Sequence, residues 1–275
     1  MKLKITKPTQ ILPFLISQLK LSSATKAREL LKKGRVEVDG KPVVRANHVL
    51  EPGQEVCVSH QKSDKKQKAP FEILFEDDDI LVAVKPAGIL SVHREGGTSK
   101  TFHQMVNEYT RVFLVHRLDR EVSGILMFAK SLNVQRQLEA SWKENDKLYY
   151  AVVEGALSPK EGRIESWLTE TKALKVYSTA PGDDAKQAIT HYRVVRETPR
   201  YSLVEVRLET GRKNQIRVHM ADQKCPIIGD EKYGSKTYFG GRIALHAFHL
   251  AFDHPVSRER ISLNSPLPKE FEKVI

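Results

Sequence analysis

A nine-residue run without a single apolar side chain divides this chain into two unequal parts. The run covers residues 60–68 (HQKSDKKQK), and an Ala-Pro pair follows it. A polar, charged stretch of this kind is typical of a solvated linker, because it offers nothing that a hydrophobic core could bury. The sequence therefore predicts a small N-terminal domain over residues 1–59, a linker over residues 60–69 and a larger domain over residues 70–275.

The charge of the chain is distributed just as unevenly. The 275 residues have a formal net charge of +11. Residues 1–68 contain 15 Lys+Arg against 6 Asp+Glu, a net of +9, whereas residues 69–275 contain 30 against 28, a net of +2. Cations concentrated in one small domain indicate a polyanionic partner for that domain.

The composition excludes several classes of protein. At 40% hydrophobic and 29% charged residues the chain is neither disordered throughout nor collagen-like. It lacks the run of about 18 apolar residues that a membrane-spanning helix needs, and its N-terminus does not resemble a signal peptide. Two cysteines, Cys57 and Cys225, can build neither a disulfide framework nor a cysteine-rich zinc site. We expect a soluble, cytoplasmic protein with Cys225 as a small buried hydrophobe.

The small domain has the pattern of two helices followed by a hairpin. Apolar residues at helical spacing predict two helices within residues 12–33, with Ser22 and Ser23 at the start of the second. Residues 34–41 (GRVEVDGK) predict a strand that ends in an Asp-Gly turn, and residues 49–58 a further turn and strand. The basic residues in and after the second helix are Lys26, Arg28, Lys32, Lys33 and Arg35.

This pattern resembles the alpha-L RNA-binding domain, first described in a small-subunit ribosomal protein. The resemblance is strongest over residues 23–41 (SATKARELLKKGRVEVDGK), where a basic helix precedes a GRVxVxG segment. It implies that the five basic residues contact RNA. The alternative is a basic helical hairpin with a solvated charged face.

The larger domain contains more predicted strands than helices. Several neighbouring strands are close enough in sequence for antiparallel connections, so an α+β domain with a large mixed sheet fits better than a regularly alternating parallel fold. The predicted strands span residues 71–75, 80–84, 124–129, 149–153, 188–195, 201–208 and 243–252, and the predicted helices span residues 101–110, 132–143 and 214–222.

Charged residues crowd between two apolar runs at residues 115–124 (VHRLDREVSG). Asp119 lies between arginines there, and adjacent positive charge keeps a carboxylate ionised. An ionised Asp can form a covalent intermediate with an electrophilic carbon. Asp119 is therefore a candidate nucleophile, and the alternative is an ion-paired turn.

A second dense segment, residues 208–220 (LETGRKNQIRVHM), joins a predicted strand to a predicted helix. Such a junction presents amide donors and cations to anions. The alternative is a positively charged helix terminus that serves solubility alone.

Seven segments taken in order resemble the RluA-like pseudouridine synthases, and the resemblance covers residues 70–275. It implies an α+β pseudouridine synthase fold with a large mixed, mainly antiparallel sheet, preceded by the alpha-L domain as in many members. The segments are residues 85–93 (KPAGILSVH), 116–124 (HRLDREVSG), 147–151 (KLYYA), 210–219 (TGRKNQIRVH), 226–234 (PIIGDEKYG), 245–247 (LHA) and 252–255 (FDHP).

The resemblance implies isomerisation of uridine to pseudouridine in RNA, without a metal or organic cofactor. Asp119 would be the catalytic carboxylate that assists cleavage of the glycosidic bond, by attack on either the sugar or the base. Tyr149 would stack against the target uracil and could relay a proton; its alternative is a half-buried strand aromatic. Arg217 would pair with Asp119 and hold it charged.

Further residues of the larger domain are implied to contact RNA. Ile216 would pack under the base, and Arg117 would fill the space left by the flipped nucleotide. Lys213 and Asn214 replace the Thr-His pair that is common in the family, so we expect activity to survive and the contact at these two positions to differ. The remaining predicted RNA contacts are His116, Arg120 and Arg212.

We predict no metal site, since His116, His219 and His246 lie on separate segments without a matching Cys or carboxylate pattern. The sequence thus predicts a monomeric RNA pseudouridine synthase without an obligatory protein partner, acting on structured RNA and most simply on large-subunit (23S) ribosomal RNA. Two alternatives stay open: the same activity on tRNA, and a non-catalytic, ribosome-associated RNA-binding protein. An enzyme for a diffusible nucleotide is disfavoured, because no glycine-rich phosphate loop is present.

Overall fold

The computed structural model describes residues 2–19, 21, 23–32, 34–58, 69–93 and 97–275. The chain divides into two compact units, Met1–Lys68 and Ala69–Ile275. Three predictions lie outside the described residues: the linker apart from Ala69, the cap at Ser22 and the RNA contact at Lys33.

The smaller unit packs two helices against short antiparallel strands. A four-stranded sheet has the order β1-β6-β3-β4, and β2 pairs with β5. Its elements are β1 (Lys2–Lys4), β2 (Thr9–Gln10), α1 (Ile11–Gln18), α2 (Ala24–Lys32), β3 (Val36–Val38), β4 (Lys41–Pro42), β5 (Val49–Leu50) and β6 (Glu55–Val58).

Local sequence explains these elements. The Ser23 hydroxyl accepts a hydrogen bond from the Lys26 amide at 3.4 Å, which caps α2. Ala27 and Leu31, one turn apart on α2, are both buried. The predicted pair of helices and the strand after them are thereby confirmed, whereas β1 and β2 were not predicted.

The predicted Asp-Gly turn is present between β3 and β4. Asp39 and Gly40 have φ values of 50° and 74°. Two successive left-handed residues are the geometry of a type I′ hairpin turn, which Asp-Gly favours.

The larger unit is built on one 11-stranded sheet. Its main path has the order β13-β12-β14-β15-β11-β16-β10-β8-β7, with β17 paired to β16 and β9 paired to β10. Its elements are β7 (Ile73–Glu76), β8 (Ile80–Lys85), α3 (Phe102–Tyr109), β9 (Phe113–Leu114), β10 (Ser123–Ala129), α4 (Leu132–Ala140), β11 (Asp146–Glu154), β12 (Glu161–Glu170), β13 (Val176–Thr179), β14 (Lys186–Glu197), β15 (Tyr201–Leu208), α5 (Gln215–Asp222), β16 (Leu245–Asp253), β17 (Arg260–Asn264) and α6 (Lys269–Glu272), with 3-10 helices at Trp142–Glu144 and Glu231–Tyr233.

Strands β10 and β16 run parallel, and the other pairs of the described sheet are antiparallel. This confirms the predicted α+β class with a large mixed, mainly antiparallel sheet. The sequence did not predict β9, β12, β13, β17 or α6. Strand β12 explains why, because most of its residues are exposed or half-buried and form no apolar run.

The centre of the sheet is buried on both faces. All seven residues of β10 are buried. Alternate residues of the strand pack into two different apolar clusters, with Leu126 and Phe128 in one and Ile125 and Met127 in the other. A strand covered on both faces has a continuous apolar sequence, which is why β10 was predictable. Among the described residues no helix is long and apolar enough to cross a membrane.

Candidate active site

Asp119 lies in the loop that enters β10, and the backbone on both sides of it is held by hydrogen bonds. The Ser91 hydroxyl donates to the Leu118 carbonyl at 2.7 Å and accepts from the Leu118 amide at 3.0 Å. On the other side, the Gly88 amide donates to the Arg120 carbonyl at 2.7 Å. The segment after β8 therefore fixes the backbone around Asp119.

A buried lysine supports the same loop. Lys85, with 0% of its surface exposed, donates from Nζ to the carbonyl oxygens of Pro86 at 2.9 Å and Ile89 at 2.8 Å. A longer bond of 3.4 Å reaches the Arg120 carbonyl. Burial lowers the pKa of Lys85 to about 8. Lys85 and Ser91 both lie in the motif segment 85–93, but no role was predicted for either.

Arg217, on α5, connects Asp119 to a second carboxylate. Its Nη1 lies 3.2 Å from Asp119 Oδ2. Its Nε and Nη2 donate to the two carboxylate oxygens of Asp230 at 2.7 and 2.8 Å. Arg217 is 7% exposed and Asp230 1%. A guanidinium held by such a fork has little freedom to rotate, so its remaining nitrogen is aimed at Asp119.

The electrostatics of this group favour a permanently charged Arg217. Burial opposes its charge, but the hydrogen bonds and negative charges of Asp230 and Asp119 raise its pKa above the usual value. The ring of Tyr233 lies 5.1 Å from the same guanidinium, within range of a cation–π interaction. Asp230 and Tyr233 belong to the predicted 226–234 segment, but nothing local in the sequence indicated that they contact Arg217.

The replacement of Thr-His by Lys-Asn is accommodated by two contacts. Lys213 pairs with Glu170 of β12. Asn214, immediately before α5, has a φ of 54° and donates from Nδ2 to the Tyr233 hydroxyl at 2.9 Å. Asn is among the residues that tolerate the left-handed region best. These two side chains therefore join α5 to its neighbours.

Helix α5 is itself fixed by buried polar side chains. Gln215 donates to the Ile189 carbonyl and to the Thr190 hydroxyl, both at 2.9 Å. One turn later, the His219 ring contacts the hydroxyl groups of Thr190 at 2.8 Å and Ser166 at 2.9 Å. These contacts hold the helix that carries Arg217 against β12 and β14.

Two cavities meet at Asp119. The smaller one, of about 430 Å³, is lined by Tyr149 and Ile216 together with Leu208 and Leu245. The larger one, of about 650 Å³, extends toward residues 90–93 and 229–243. Residues that line both are Arg117, Leu118, Asp119, Lys213, Asn214 and Arg217.

Tyr149 gives the smaller cavity an aromatic wall. It lies on β11, opposite Ala247 of β16, and is half-buried. Burial, reinforced by the negative charge of Asp119, raises the pKa of Tyr149 to about 12. The phenol therefore keeps its proton at neutral pH. Ile216, which is 4% exposed, lines the same cavity. The cavity thus combines an aromatic side chain, an aliphatic side chain and the Asp119 carboxylate.

Three of the predicted RNA contacts of the larger unit are arginines that line the cavities. Arg117 is exposed and lines both cavities. Arg120 lines the larger cavity and pairs with Glu121 at 3.0 Å. Arg212 lines the smaller cavity and donates from Nε to the Gln187 carbonyl at 2.9 Å. The structure thus brings all three arginines to the surroundings of Asp119.

His116 lines neither cavity. Its Nε2 accepts a hydrogen bond from the Met127 amide at 3.1 Å, and its ring stacks on Trp142 with centroids 4.2 Å apart. Burial, with a smaller contribution from the charge of Lys147, lowers its pKa to about 3. The ring is engaged in structural contacts, and its predicted contact with RNA remains untested.

In the smaller unit, three of the predicted RNA contacts lie on the exposed side of α2. Lys26, Arg28 and Lys32 are exposed, whereas Ala27 and Leu31 of the same helix are buried. Arg35 is half-buried, and its Nε is buried without a hydrogen-bond partner among the residues that the structure describes.

The three histidines considered as metal ligands do not form a cluster in the described structure. His219 is occupied by its two hydroxyl partners, and His246 lies between the hydroxyl groups of Ser123 at 2.8 Å and Ser265 at 3.1 Å. Burial lowers the pKa of both histidines to about 4. Both rings are therefore neutral and hydrogen-bonded on each side, which suits packing rather than metal binding.

One group in the described part of the chain has metal-like spacing: Asp77, Asp79 and His254. However, Nδ1 of His254 accepts the amide hydrogens of Val256 at 3.2 Å and Ser257 at 3.0 Å. The ring proton must then lie on Nε2, which faces Asp77 Oδ2 at 2.8 Å. A protonated nitrogen cannot ligate a metal, so this group is a close contact between a histidine and a carboxylate beside the start of β8.

Comparisons with known proteins agree with the fold and the site. The family model "RNA pseudouridylate synthase" matches residues 79–222, and the "S4 domain" model matches residues 12–56. Among solved structures, the human proteins RNA Pseudouridylate Synthase Domain Containing 4 and Domain Containing 1 share the fold. Their TM-scores are 0.60 and 0.62 at 24% and 21% identity; they cover 73% and 72% of this chain, which spans 90% and 84% of theirs.

Curated relatives match almost the whole chain. The "Uncharacterized RNA pseudouridine synthase YlyB" of Bacillus subtilis is 34% identical over 98% of this chain and 94% of its own length. The "Ribosomal large subunit pseudouridine synthase D" of Neisseria meningitidis is 30% identical over 90% and 73%. A mixed sheet with a carboxylate-lined cleft, preceded by an S4 domain, is thus the architecture of an RNA-modifying isomerase. The chain belongs to the RNA pseudouridine synthase family.

Proposed function

We propose that this protein converts specific uridines of large-subunit ribosomal RNA to pseudouridine, with Asp119 as the catalytic carboxylate. The observation that carries this proposal is the position of Asp119, where both cavities meet and where the doubly held Arg217 contacts it at 3.2 Å. The relatives named for the large ribosomal subunit, at 30–33% identity, support the choice of RNA.

The smaller cavity would receive the flipped target uridine. Its uracil would lie against Tyr149 and Ile216, which supply the flat apolar contact that an unstacked base needs. With the base there, the Asp119 carboxylate reaches the glycosidic bond, and the Arg217 guanidinium pairs with that carboxylate at 3.2 Å. Tyr149 keeps its own proton at neutral pH, so it can donate a hydrogen bond and relay a proton.

The reaction requires no external reactant. The bond from C1′ of the ribose to N1 of uracil breaks with the assistance of Asp119, the base rotates, and a bond from C1′ to C5 forms. The proton lost from C5 is balanced by the proton gained at N1. We assign no metal or organic cofactor to these steps.

Cations of both units would hold the RNA. Arg117 would enter the space that the flipped nucleotide leaves, which offsets part of the unstacking cost of a few kcal/mol. Arg120 and Arg212 would contact phosphates beside the cavities. In the smaller unit, the contacts would come from Lys26, Arg28, Lys32, Lys33 and Arg35.

We further propose a monomer in the cytoplasm. The two cysteines are free, as expected in a reducing compartment.

The test is to map pseudouridines in total RNA by carbodiimide-stop sequencing, in cells with and without the gene. We expect stops to disappear from large-subunit rRNA without the gene and to return with the wild-type protein. The Asp119→Asn variant should not restore them, whereas the matched surface variant Asp184→Asn should. Stops lost only from tRNA would overturn the rRNA assignment, and restoration by Asp119→Asn would overturn the mechanism.

A further inference from the structure

Exposed apolar side chains converge on the rim of the larger cavity. Val92, Leu174 and Tyr238 are 36%, 46% and 77% exposed, and all three line this cavity. They are three of the nine large apolar residues that are exposed in the described part of the chain. They come from three separate segments. Single exposed apolar residues need no explanation, but three around one cavity indicate a contact surface.

Leu174 is presented on a strained and fixed hairpin tip. It joins β12 to β13 with a φ of 59°, a region that costs a branched residue energy and that Gly or Asn would occupy more easily. The Leu174 amide donates to the Thr171 carbonyl at 2.8 Å, and Lys232 Nζ donates to the Leu174 carbonyl at 2.8 Å. The chain therefore holds an apolar side chain in solvent at a position where a turn residue would fit better.

Tyr238 is likewise fixed by its neighbours while its ring is exposed. The Thr237 amide donates to Glu154 Oε1 at 2.9 Å, and the Thr237 carbonyl accepts from the Gly229 amide at 3.0 Å. On the other side, the Phe239 ring packs against Phe271 with centroids 5.8 Å apart. Anchors immediately before and after Tyr238 restrict where its ring can lie.

The charges around this rim suit a nucleic acid strand. Of the described residues, six cations and four carboxylates line this cavity, and the cations include Arg117, Arg120, Lys213 and Lys232. Proteins that bind single-stranded nucleic acid combine cations that follow the phosphates with aromatic rings on which bases stack. The larger cavity also shares Asp119 with the smaller one, so a nucleotide next to a target uridine in the smaller cavity lies within reach of the larger cavity.

We propose that Tyr238 is a stacking platform for the base of a nucleotide next to the target uridine, with Leu174 and Val92 completing the apolar rim. This subsite rests on the proposed function, because that function brings RNA to Asp119. Stacking tolerates any base, since each has a π-face. The platform therefore contributes to RNA affinity more than to the choice of sequence.

The test uses the full-length protein and an unmodified, fluorescently labelled transcript of large-subunit rRNA. Binding is measured by fluorescence anisotropy, and turnover by tritium release from a transcript labelled at C5 of uridine. We expect Tyr238→Ala to weaken binding about 5- to 150-fold, the range for loss of one base–aromatic stack. The maximal rate at saturating protein should be unchanged.

Three variants serve as controls. Tyr238→Phe and Tyr238→Trp keep the stacking face and should bind like the wild-type protein. Tyr177→Ala removes another tyrosine, 44% exposed, that lines neither cavity, and should also bind normally. Equal thermal melting of all variants shows that the differences do not come from unfolding.

A direct readout comes from the tryptophan that Tyr238→Trp introduces. Its fluorescence should be quenched by the transcript, beyond the change that Trp142 and Trp167 show in the wild-type protein. Wild-type binding by Tyr238→Ala, equal loss in Tyr238→Ala and Tyr238→Phe, an absence of quenching, or no binding of the transcript by the wild-type protein would each overturn the subsite. Binding and quenching need no turnover, so a wild-type protein that binds but releases no tritium would contradict the proposed function alone.

Discussion

Arg217 is the side chain on which the proposed chemistry depends most after Asp119. Its guanidinium has three nitrogens, of which two are bound by Asp230 and the third faces Asp119. Asp230 holds two nitrogens of Arg217 and so sets the direction in which the third one points; we propose that Asp230 is a positioning residue for the reaction. Its 1% exposure makes the carboxylate sensitive to any change of partner.

At the residue scale, we predict that Asp230→Asn lowers kcat about 10- to 100-fold with little change in KM. The amide can accept only one of the two guanidinium bonds, and a misplacement of about 1 Å can reduce a rate about 100-fold. Single-turnover tritium release and RNA titration measure the two constants separately. Removal of a partner from a buried ion pair also lowers stability, by about 3–5 kcal/mol, so rates are compared well below the melting temperature.

An unchanged kcat in Asp230→Asn would show that Arg217 is oriented without its second carboxylate. A rise in KM alone would instead place Asp230 in RNA binding. Asp230→Glu, which keeps the charge and both oxygens, should recover part of the lost kcat if the role is positioning.

Among the secondary-structure elements, β10 is the strand at which the Asp119 loop enters the sheet. The parallel contact of β10 with β16 fixes the position of this end of the strand. Gly124 of β10 faces Ala247 of β16 and has a φ of 123°. A Cβ at Gly124 would lie 2.3 Å from the Ala247 carbonyl oxygen. A hydrogen-bonded chain from Arg242 through the Ser123 hydroxyl to the buried His246 secures the same junction.

At the element scale, we predict that Gly124→Ala destabilises the larger unit by about 3 kcal/mol or more, from both the clash and the left-handed backbone. Gly182→Ala is the matched control, because that glycine has no atom within 4 Å of an added Cβ. Equilibrium unfolding in urea, followed by the fluorescence of Trp142 and Trp167, measures both. Equal stability of the two variants would show that β10 and β16 can separate without cost.

Elements with a clear pattern of apolar residues were predictable from the sequence. Elements that form by pairing with strands distant in the sequence were not. Strands β8 and β10 are covered on both faces and have continuous apolar sequences. Strand β12 has no such run, because one of its faces is largely exposed. Its pairing with β14 depends on contacts between residues 18 to 32 positions apart in the sequence, which no local pattern contains.

Buried neutral histidines affect the stability of the molecule as a whole. Burial lowers the pKa of His219 and His246 to about 4, below the ordinary value of 6.5. Between these values the unfolded chain binds protons that the folded chain does not. The stability that these residues contribute is therefore fully present above pH 6.5 and is lost as the pH falls toward 4.

At the scale of the whole molecule, we predict that lowering the pH from 7 to 5 decreases the free energy of unfolding by about 2 kcal/mol for each of these two histidines. His219→Gln should reduce the pH dependence by that amount, whatever it does to stability at pH 7. Urea unfolding at both pH values measures the difference. A pH dependence identical to that of the wild-type protein would mean that His219 titrates normally in the folded state.

The sequence by itself determined the class of this protein. Ordered motifs indicated an RNA pseudouridine synthase, charge and polarity indicated a basic N-terminal domain, and Asp119, Tyr149 and Arg217 were singled out as its candidate site. These features are local runs of residues, so they can be read without the fold. Assignment of the three site residues to catalysis remains a proposal.

Only the tertiary structure decided how the site is held. Asp119 and Arg217 are 98 residues apart in the chain, and Lys85 supports the Asp119 loop from 35 residues away. Likewise, the larger cavity with Tyr238 on its rim forms from segments that share no sequence pattern. The physical reason is that hydrogen bonds and packing act over a few ångströms in space, and only the folded sheet brings such distant residues within that range.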